Sequence, residues 1–113
     1  MAIPHARSGQ VIDVGPLGPS LTDERTVALF KTEDLELMRL ILPAGKSMPP
    51  HKVAGEITIQ CIEGSIDVTM DGDSNRLEAG QLIYLARNVV HGVRASEDAS
   101  VLVTIALRRP ATE

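Results

Sequence analysis

The sequence predicts an all-β protein in which short strands close into one barrel. Apolar β-branched residues alternate with polar ones in several short stretches, and glycine or proline separates these stretches. No internal repeat, low-complexity run or linker divides the 113 residues, so we expect one barrel domain over residues 10–113 after an N-terminal arm of residues 1–9. Strand-like segments at this spacing are typical of a barrel or sandwich, and closure would remove most exposed strand edges.

The first elements follow the arm. Val11–Val14 predicts a short strand before the breaker segment Gly15–Pro19. Ser20–Asp23 matches a helix-capping pattern, but the β-branched content of Thr26–Phe30 favours a strand immediately afterwards. The polar residues Thr32–Asp34 then predict a turn.

The following strands are bounded by clear turn signals. Leu35–Leu42 predicts a strand rather than a helix, because proline and glycine end it after only eight residues. Ser65–Met70 alternates and leads into Asp71-Gly72, a strong hairpin signal. Leu82–Leu85 and Val101–Leu107 predict two further apolar strands.

One stretch, Gly45–Gly64, organises the chain. It is predicted to turn through Met48, Pro49 and Pro50, to reach His51, and then to enter a strand with Ile57, Ile59 and Cys61 on one buried face. A second histidine, His91, follows the glycine-started strand around Leu82–Leu85. The two imidazoles lie about forty residues apart, so they can meet only if the sheet closes on itself.

These two stretches resemble the two signature motifs of the cupin superfamily of RmlC-like double-stranded β-helix proteins, also described as jelly-roll barrels. The first motif has a glycine, five residues, His-x-His, a glutamate and a final glycine. Gly45, His51 and Gly64 fit it, whereas Val53 stands at the second histidine position and Ile57 at the acidic position.

The second motif has a glycine, five residues, Pro-x-Gly, two residues, a histidine, three residues and an asparagine. Gly80 and His91 fit it, while Ala86, Asn88 and Ala95 replace the proline, glycine and asparagine. The resemblance covers roughly residues 35–107 and implies the double-stranded β-helix fold.

The resemblance also implies a candidate metal site. Metal-binding cupins hold one divalent transition metal with three histidines and a glutamate, and the matching positions here are His51, Val53, Ile57 and His91. Two of these four side chains are aliphatic and donate no lone pair. His51 and His91 alone would leave a divalent ion mostly bound to water and without charge neutralisation.

Glu56 is the carboxylate closest to the motif's acidic position. Because side chains alternate along a strand, a shift of one residue from Ile57 sends Glu56 to the opposite face. A bulge at Gly55 would reverse that direction and make Glu56 a third ligand. Plain alternation is the commoner arrangement, so Glu56 is the weaker candidate.

Composition excludes several function classes. The net charge of −4 and a pI near 5.3 disfavour nucleic-acid binding, and an aromatic content of 2% removes stacking platforms for single strands. A single cysteine excludes an internal disulfide, and no apolar run is long enough to span a bilayer. We therefore expect a cytoplasmic protein in which the inward-facing Cys61 is a small hydrophobe rather than a nucleophile.

Three functions remain open from the sequence. The first is a barrel mouth that binds a small molecule without metal. The second is a metal-dependent enzyme, such as a dioxygenase or isomerase, with a rebuilt metal site. The third is a structural dimer with a filled interior, since cupins commonly dimerise and apolar residues such as Ile62 and Val103 are expected on the outer face. We favour the first function, with a pocket lined by Met48, His51, Val53, Ile57, Ile59 and His91.

Overall fold

The computed structural model describes residues 5–107, and residues 1–4 and 108–113 at the ends of the predicted arm and barrel lie outside it. This part of the chain contains nine strands: Val27–Lys31 (β1), Leu35–Leu42 (β2), Ser47–His51 (β3), Ile57–Glu63 (β4), Ser65–Met70 (β5), Asp73–Glu78 (β6), Leu82–Leu85 (β7), His91–Ala95 (β8) and Ala99–Ala106 (β9). They form two antiparallel sheets with strand orders β1-β2-β9-β4-β7 and β3-β8-β5-β6. This confirms the all-β double-stranded β-helix that the sequence predicted.

Alternation along the strands creates one aliphatic core between the two sheets. In β4, Ile57, Ile59 and Cys61 are 4%, 1% and 0% exposed, while the residues between them are only partly buried. From the other sheet, Ile66 and Val68 of β5 join the same cluster and are fully buried. The face of β4 that the sequence predicted to be buried is therefore confirmed.

Strand β2 begins and ends at the predicted residues, which excludes the helical alternative. It pairs along its whole length with β9, from Leu35 opposite Ala106 to Leu42 opposite Ala99. Strand β9 begins at Ala99, two residues before the predicted start, because Ala99 and Ser100 complete this ladder. In the sheet, β1 lies next to β2, and β4 lies next to β9.

The predicted strand at Val11–Val14 is wrong. The Asp13 carboxylate accepts a hydrogen bond of 2.9 Å from the Gly15 N–H, a local turn that competes with strand pairing, and Val11 is 91% exposed. The capping pattern at Ser20–Asp23 falls within a short 3-10 helix, Gly18–Asp23, that precedes the correctly predicted strand β1. No helix in residues 5–107 has the length and apolar character needed to cross a membrane.

The segment before β1 is hydrogen-bonded to the end of β4. Both carboxylate oxygens of Glu63, at the end of β4, accept hydrogen bonds from the N–H groups of Leu17 and Gly18, at 2.5 and 3.1 Å. Leu21 of the 3-10 helix is only 4% exposed. Ile41 and Leu102 are also buried, although their neighbours along the strands point into the core. Thr22, Glu24 and Thr26 lie around Ile41 on this outer face.

Two glycines with positive φ close neighbouring turns but have different surroundings. Gly72 (φ 81°) follows Asp71 (φ 47°) in the β5–β6 hairpin, as the Asp-Gly signal predicted, and a Cβ added to it would meet nothing within 4 Å. Gly64 (φ 82°) joins β4 to β5, and a Cβ there would lie 2.2 Å from the carbonyl oxygen of Asp98. Gly64 is thus required both for its backbone angle and for the close approach of another chain segment.

We expect Gly64→Ala to destabilise the fold by about 2 kcal/mol more than Gly72→Ala, because both variants carry the left-handed backbone cost but only the first adds a backbone clash. Urea denaturation of the two variants, followed by far-UV circular dichroism, measures the difference. Equal free energies of unfolding would contradict the role assigned to the Gly64–Asp98 contact.

Candidate functional site

Strand β3 supplies one histidine from the edge of the smaller sheet. The sequence predicted a turn through Met48, Pro49 and Pro50, and this is wrong, because the three residues belong to the extended strand Ser47–His51. Proline has no N–H to donate to a ladder and is therefore accommodated on edge strands and at bulges. Strand β3 is an edge strand whose ladder partner is β8.

A bulge in β3 sets the direction of His51. Met48 pairs with Val93 and His51 pairs with His91, so β3 advances three residues while β8 advances two. Val93 and His91 are two residues apart on β8 and are 4% and 2% exposed, so both side chains point inward. The extra residue in β3 brings Met48 and His51 to this same inner face.

The two imidazoles are in contact. Their ring centroids lie 4.6 Å apart, and the ring planes are tilted by 51°. His91 is buried, whereas His51 is exposed at the rim. The pair therefore reaches from the interior of the barrel to solvent.

Backbone carbonyls fix the tautomer of both rings. The Nδ1 atom of His91 lies 2.9 Å from the carbonyl oxygen of Val89, and that of His51 lies 3.3 Å from the carbonyl oxygen of Pro49. A carbonyl oxygen only accepts hydrogen bonds, so each Nδ1 carries the proton and each neutral ring has its lone pair on Nε2. Each histidine thus has a free hydrogen-bond acceptor, Nε2, in addition to the contact that its Nδ1 makes with the backbone.

The loop before β8 holds Val89 in place. Asn88 occupies the motif's glycine position and adopts φ 65°, a left-handed angle that asparagine tolerates better than most residues. Its N–H donates a 2.9 Å hydrogen bond to the carbonyl oxygen of Val53. The substitution therefore preserves the turn that leads into His91.

Between the sheets lies a cavity of about 80 Å³ whose walls are almost entirely apolar. Both histidines contribute to its lining, and they are the only lining residues with nitrogen-containing side chains. Its lining residues are Met38, Leu40, Met48, His51, Ile57, Ile59, His91, Val93, Val103 and Ile105.

Five of the six pocket residues predicted from the sequence lie around this one cavity: Met48, His51, Ile57, Ile59 and His91. The sixth, Val53, packs against the core but is not among the lining residues. Strand β3 ends at His51, and the irregular segment that follows breaks the alternation that would have carried Val53 to the cavity.

The remaining lining residues were not identified from the sequence, although they are alternate positions of three strands. Met38 and Leu40 come from β2, Val93 from β8, and Val103 and Ile105 from β9. Only the register of these strands reveals that their inward faces meet the histidines.

The expected outward position of Val103 is wrong. Val103 pairs with Ile59, and both residues line the cavity. The large exposed apolar side chains beside β4 are instead Leu82 and Tyr84 of β7, at 55% and 56% exposed.

Glu56 lies away from the cavity. Its carboxylate accepts a hydrogen bond from the Tyr84 hydroxyl, and this bond is the main cause of the raised pKa of Tyr84. The backbone at Gly55 approaches the neighbouring strand so closely that an added Cβ would lie 1.6 Å from the carbonyl oxygen of Ala106. Glu56 is exposed and lies beside the outer groove formed by Leu35, Thr58, Tyr84 and Thr104.

The residues present do not fit the metal site that the resemblance implies. Within residues 5–107, no three side chains of the types His, Cys, Asp or Glu are grouped closely enough to share an ion. Ile57 takes the acidic position and faces the cavity with a hydrocarbon side chain. A divalent ion next to His51 and His91 would therefore have no carboxylate to balance its charge.

The fold and its inner cavity define a small double-stranded β-helix barrel. Residues 38–106 match the model of the cupin domain family, and the chain belongs to this family. Among curated proteins, none matches this chain by sequence.

Several solved structures have the same fold. A conserved protein of unknown function from Streptococcus pyogenes is 19% identical, with a TM-score of 0.73 and coverage of 97% of both chains. An RmlC-like cupin from Desulfovibrio desulfuricans is 27% identical, with a TM-score of 0.68 over 91% of this chain and 98% of that one. KdgF from a Halomonas species is 24% identical, with a TM-score of 0.67 over 74% and 78%.

Cys61 lies in the core rather than at the candidate site. It is 0% exposed, and its thiol lies 3.5 Å from the carbonyl oxygens of Glu63 and Gly64. Burial, followed by repulsion from nearby carboxylates, raises the pKa of this thiol. These features support the small-hydrophobe role that the sequence predicted.

The raised pKa of Cys61 predicts a loss of stability in alkaline solution. In the unfolded chain the thiol ionises near its usual pKa of about 8.5, so above that pH the unfolded state loses its proton first and its free energy falls relative to that of the folded state. Urea denaturation at pH 7 and pH 10 should therefore show that the advantage of the wild type over Cys61→Ala shrinks at the higher pH. A constant difference would contradict the assigned environment of the thiol.

Proposed function

We propose that this protein binds a small molecule with an apolar body and one hydrogen-bond donor in the cavity and its mouth. The observation that carries the proposal is the convergence of His51 and His91, from separate strands, on one apolar cavity. Binding sites of this kind combine mainly apolar walls with a few placed polar groups.

The tautomers of the two histidines support a ligand that donates. Each Nδ1–H is used by a backbone carbonyl, so the neutral rings offer the ligand the Nε2 lone pairs as acceptors. An O–H or N–H group next to Nε2 would be satisfied there. A bare carboxylate or carbonyl would meet no donor on the neutral rings and would be desolvated without compensation.

The size of the cavity limits how much of the ligand it can enclose. At about 80 Å³ it is smaller than the cavity of about 150 Å³ that is known to hold benzene in another protein. A ring-sized ligand must therefore extend past His51, which is exposed at the rim. This supports a ligand that inserts one end into the barrel.

The cavity also weighs against the other two functions expected from the sequence. A structural barrel with a filled interior would leave no space between the histidines, and a divalent-metal enzyme would need the carboxylate that Glu56 does not bring to the site. We therefore keep metal-free small-molecule binding as the proposed function.

Methionine methyl groups provide a direct probe of this proposal. Met38 and Met48 line the cavity, so phenol, a ring with one O–H donor, should shift their ¹³C-methyl NMR signals more than the signal of Met70. Fluorobenzene has nearly the same shape but no donor, and it should bind about five-fold more weakly, the factor expected for one neutral hydrogen bond of about 1 kcal/mol.

The matched control is the double variant His51→Phe/His91→Phe, measured with metal-free protein. This variant keeps a ring at each position but removes both Nε2 acceptors, so phenol and fluorobenzene should then bind equally weakly. The proposal fails if phenol leaves the Met38 and Met48 signals unchanged, or if wild-type protein does not distinguish the two probes.

A further inference from the structure

We propose that two copies of this chain associate through the free edge of β7, so that their two larger sheets join into one. The observation that carries the proposal is an exposed apolar sheet edge with which no strand of residues 5–107 pairs. The inference concerns the outside of the barrel and does not depend on what the cavity binds.

The two sheets of the described chain end in β1, β7, β3 and β6, and β7 alone lacks a feature that opposes strand pairing. In β1, the carbonyl oxygen of Leu29 accepts a 2.9 Å hydrogen bond from the N–H of Ala6 in the N-terminal arm. Strand β3 contains two adjacent prolines, and β6 begins with the exposed polar residues 73–76. Strand β7 has the sequence LIYL, with neither proline nor charge. An unprotected apolar edge is a template for another strand.

The pairing of β7 with β4 shows which backbone groups are available at this edge. The N–H of Cys61 donates a 2.9 Å hydrogen bond to the carbonyl oxygen of Gln81, so this pair occupies a hydrogen-bonding position of the ladder. Such positions alternate in an antiparallel ladder, and Ile83 therefore also bonds to β4. Leu82 and Tyr84 lie between these positions and direct their N–H and C=O groups away from β4.

These free groups complement themselves in a symmetric pair. With a two-fold axis beside Ile83, Leu82 of each copy lies opposite Tyr84 of the other, and each such pair exchanges two N–H···O bonds. Opposite residues of a ladder point to the same face, so each Leu82 side chain also packs against the ring of Tyr84 of the other copy. Both side chains are more than half exposed in the single chain, at 55% and 56%, and are therefore available for this contact.

The pairing closes after two copies. It uses the β7 edge of both chains, and the edges that remain are the protected ones, so the assembly does not continue into a fibre. At each end of the strand pair, Arg87 of one copy lies on the same side as Glu78 of the other, so the flanking charges have opposite sign. This attraction offsets part of the repulsion between two chains that each carry a net charge of −4.

The size of the contact sets the expected affinity. Stable interfaces bury about 800 Å² per partner, and a pair of four-residue strands covers less, so we expect a dissociation constant on the order of 100 μM. The Tyr84 hydroxyl donates a hydrogen bond to the Glu56 carboxylate, which holds the ring on the outer face before the second copy binds.

The test is NMR of the full chain over a dilution series from about 1 mM to about 20 μM, a range that brackets the expected dissociation constant. We expect concentration-dependent shifts of backbone amide signals centred on residues 81–85. In a mixture of isotope-labelled and unlabelled protein, a filtered NOE should connect the Leu82 methyl groups of one copy with the Tyr84 ring of the other. Tyr84 is the single tyrosine of the sequence, so its ring signals are unambiguous.

Two lysine variants separate edge pairing from general stickiness. Tyr84→Lys puts a charge at the edge, a feature that opposes strand pairing, and should weaken self-association about ten-fold or more. Val11→Lys adds the same charge at an apolar residue that is 91% exposed and lies outside β7, and it should leave the dissociation constant within about two-fold of the wild type. Far-UV circular dichroism reports whether both variants are folded.

Three results would overturn the proposal. They are a wild-type chain that stays monomeric at the highest concentration, concentration-dependent shifts centred outside β7, and unchanged self-association in Tyr84→Lys. An intermolecular NOE from Leu82 to a surface other than β7 would likewise reject edge pairing. The phenol experiment reports on the cavity, so either proposal can fail without the other.

Discussion

The pairing of β3 with β8 is the interaction on which the candidate site depends. One extra residue in β3, at a pair of prolines on the sheet edge, decides that Met48 and His51 share a face with Val93 and His91. A regular ladder over the same residues would turn one of the two side chains out to solvent. His51 therefore lines the cavity because of the bulge in β3, whereas His91 points inward on a regular strand.

The surroundings of the histidines determine what the pair can do. Aliphatic residues and two methionines form the rest of the cavity wall. The imidazole nitrogens are therefore the main polar atoms that an entering molecule can contact. Because Nδ1 of each ring is bound to a carbonyl two residues earlier in the chain, the free lone pair is on Nε2 in both. These two lone pairs can accept a hydrogen bond from a ligand, and the proposed function follows from this chemistry.

Most of the fold could be predicted from the sequence because its strands follow simple local rules. Alternation placed Ile57, Ile59 and Cys61 in the core, and Asp71-Gly72 marked the hairpin between β5 and β6. Leu35–Leu42 was bounded by turn residues and was predicted to the residue. Local rules failed at Val11–Val14, where the Asp13 side chain satisfies the Gly15 N–H in a local turn and the residues form no strand.

The site was less predictable because its geometry depends on irregular backbone. A bulge at Gly55 would have brought Glu56 inward, but the bulge next to the site lies between Met48 and His51, in a Pro-Pro segment whose sequence indicates a turn. Gly55 is required instead by the close approach of Ala106. Regular alternation along β4 then keeps Ile57 inside, and Glu56 binds Tyr84 outside. The absence of a carboxylate from the cavity and the apolar wall contributed by β4 therefore have the same cause, the regular register of β4 from Ile57 to Cys61.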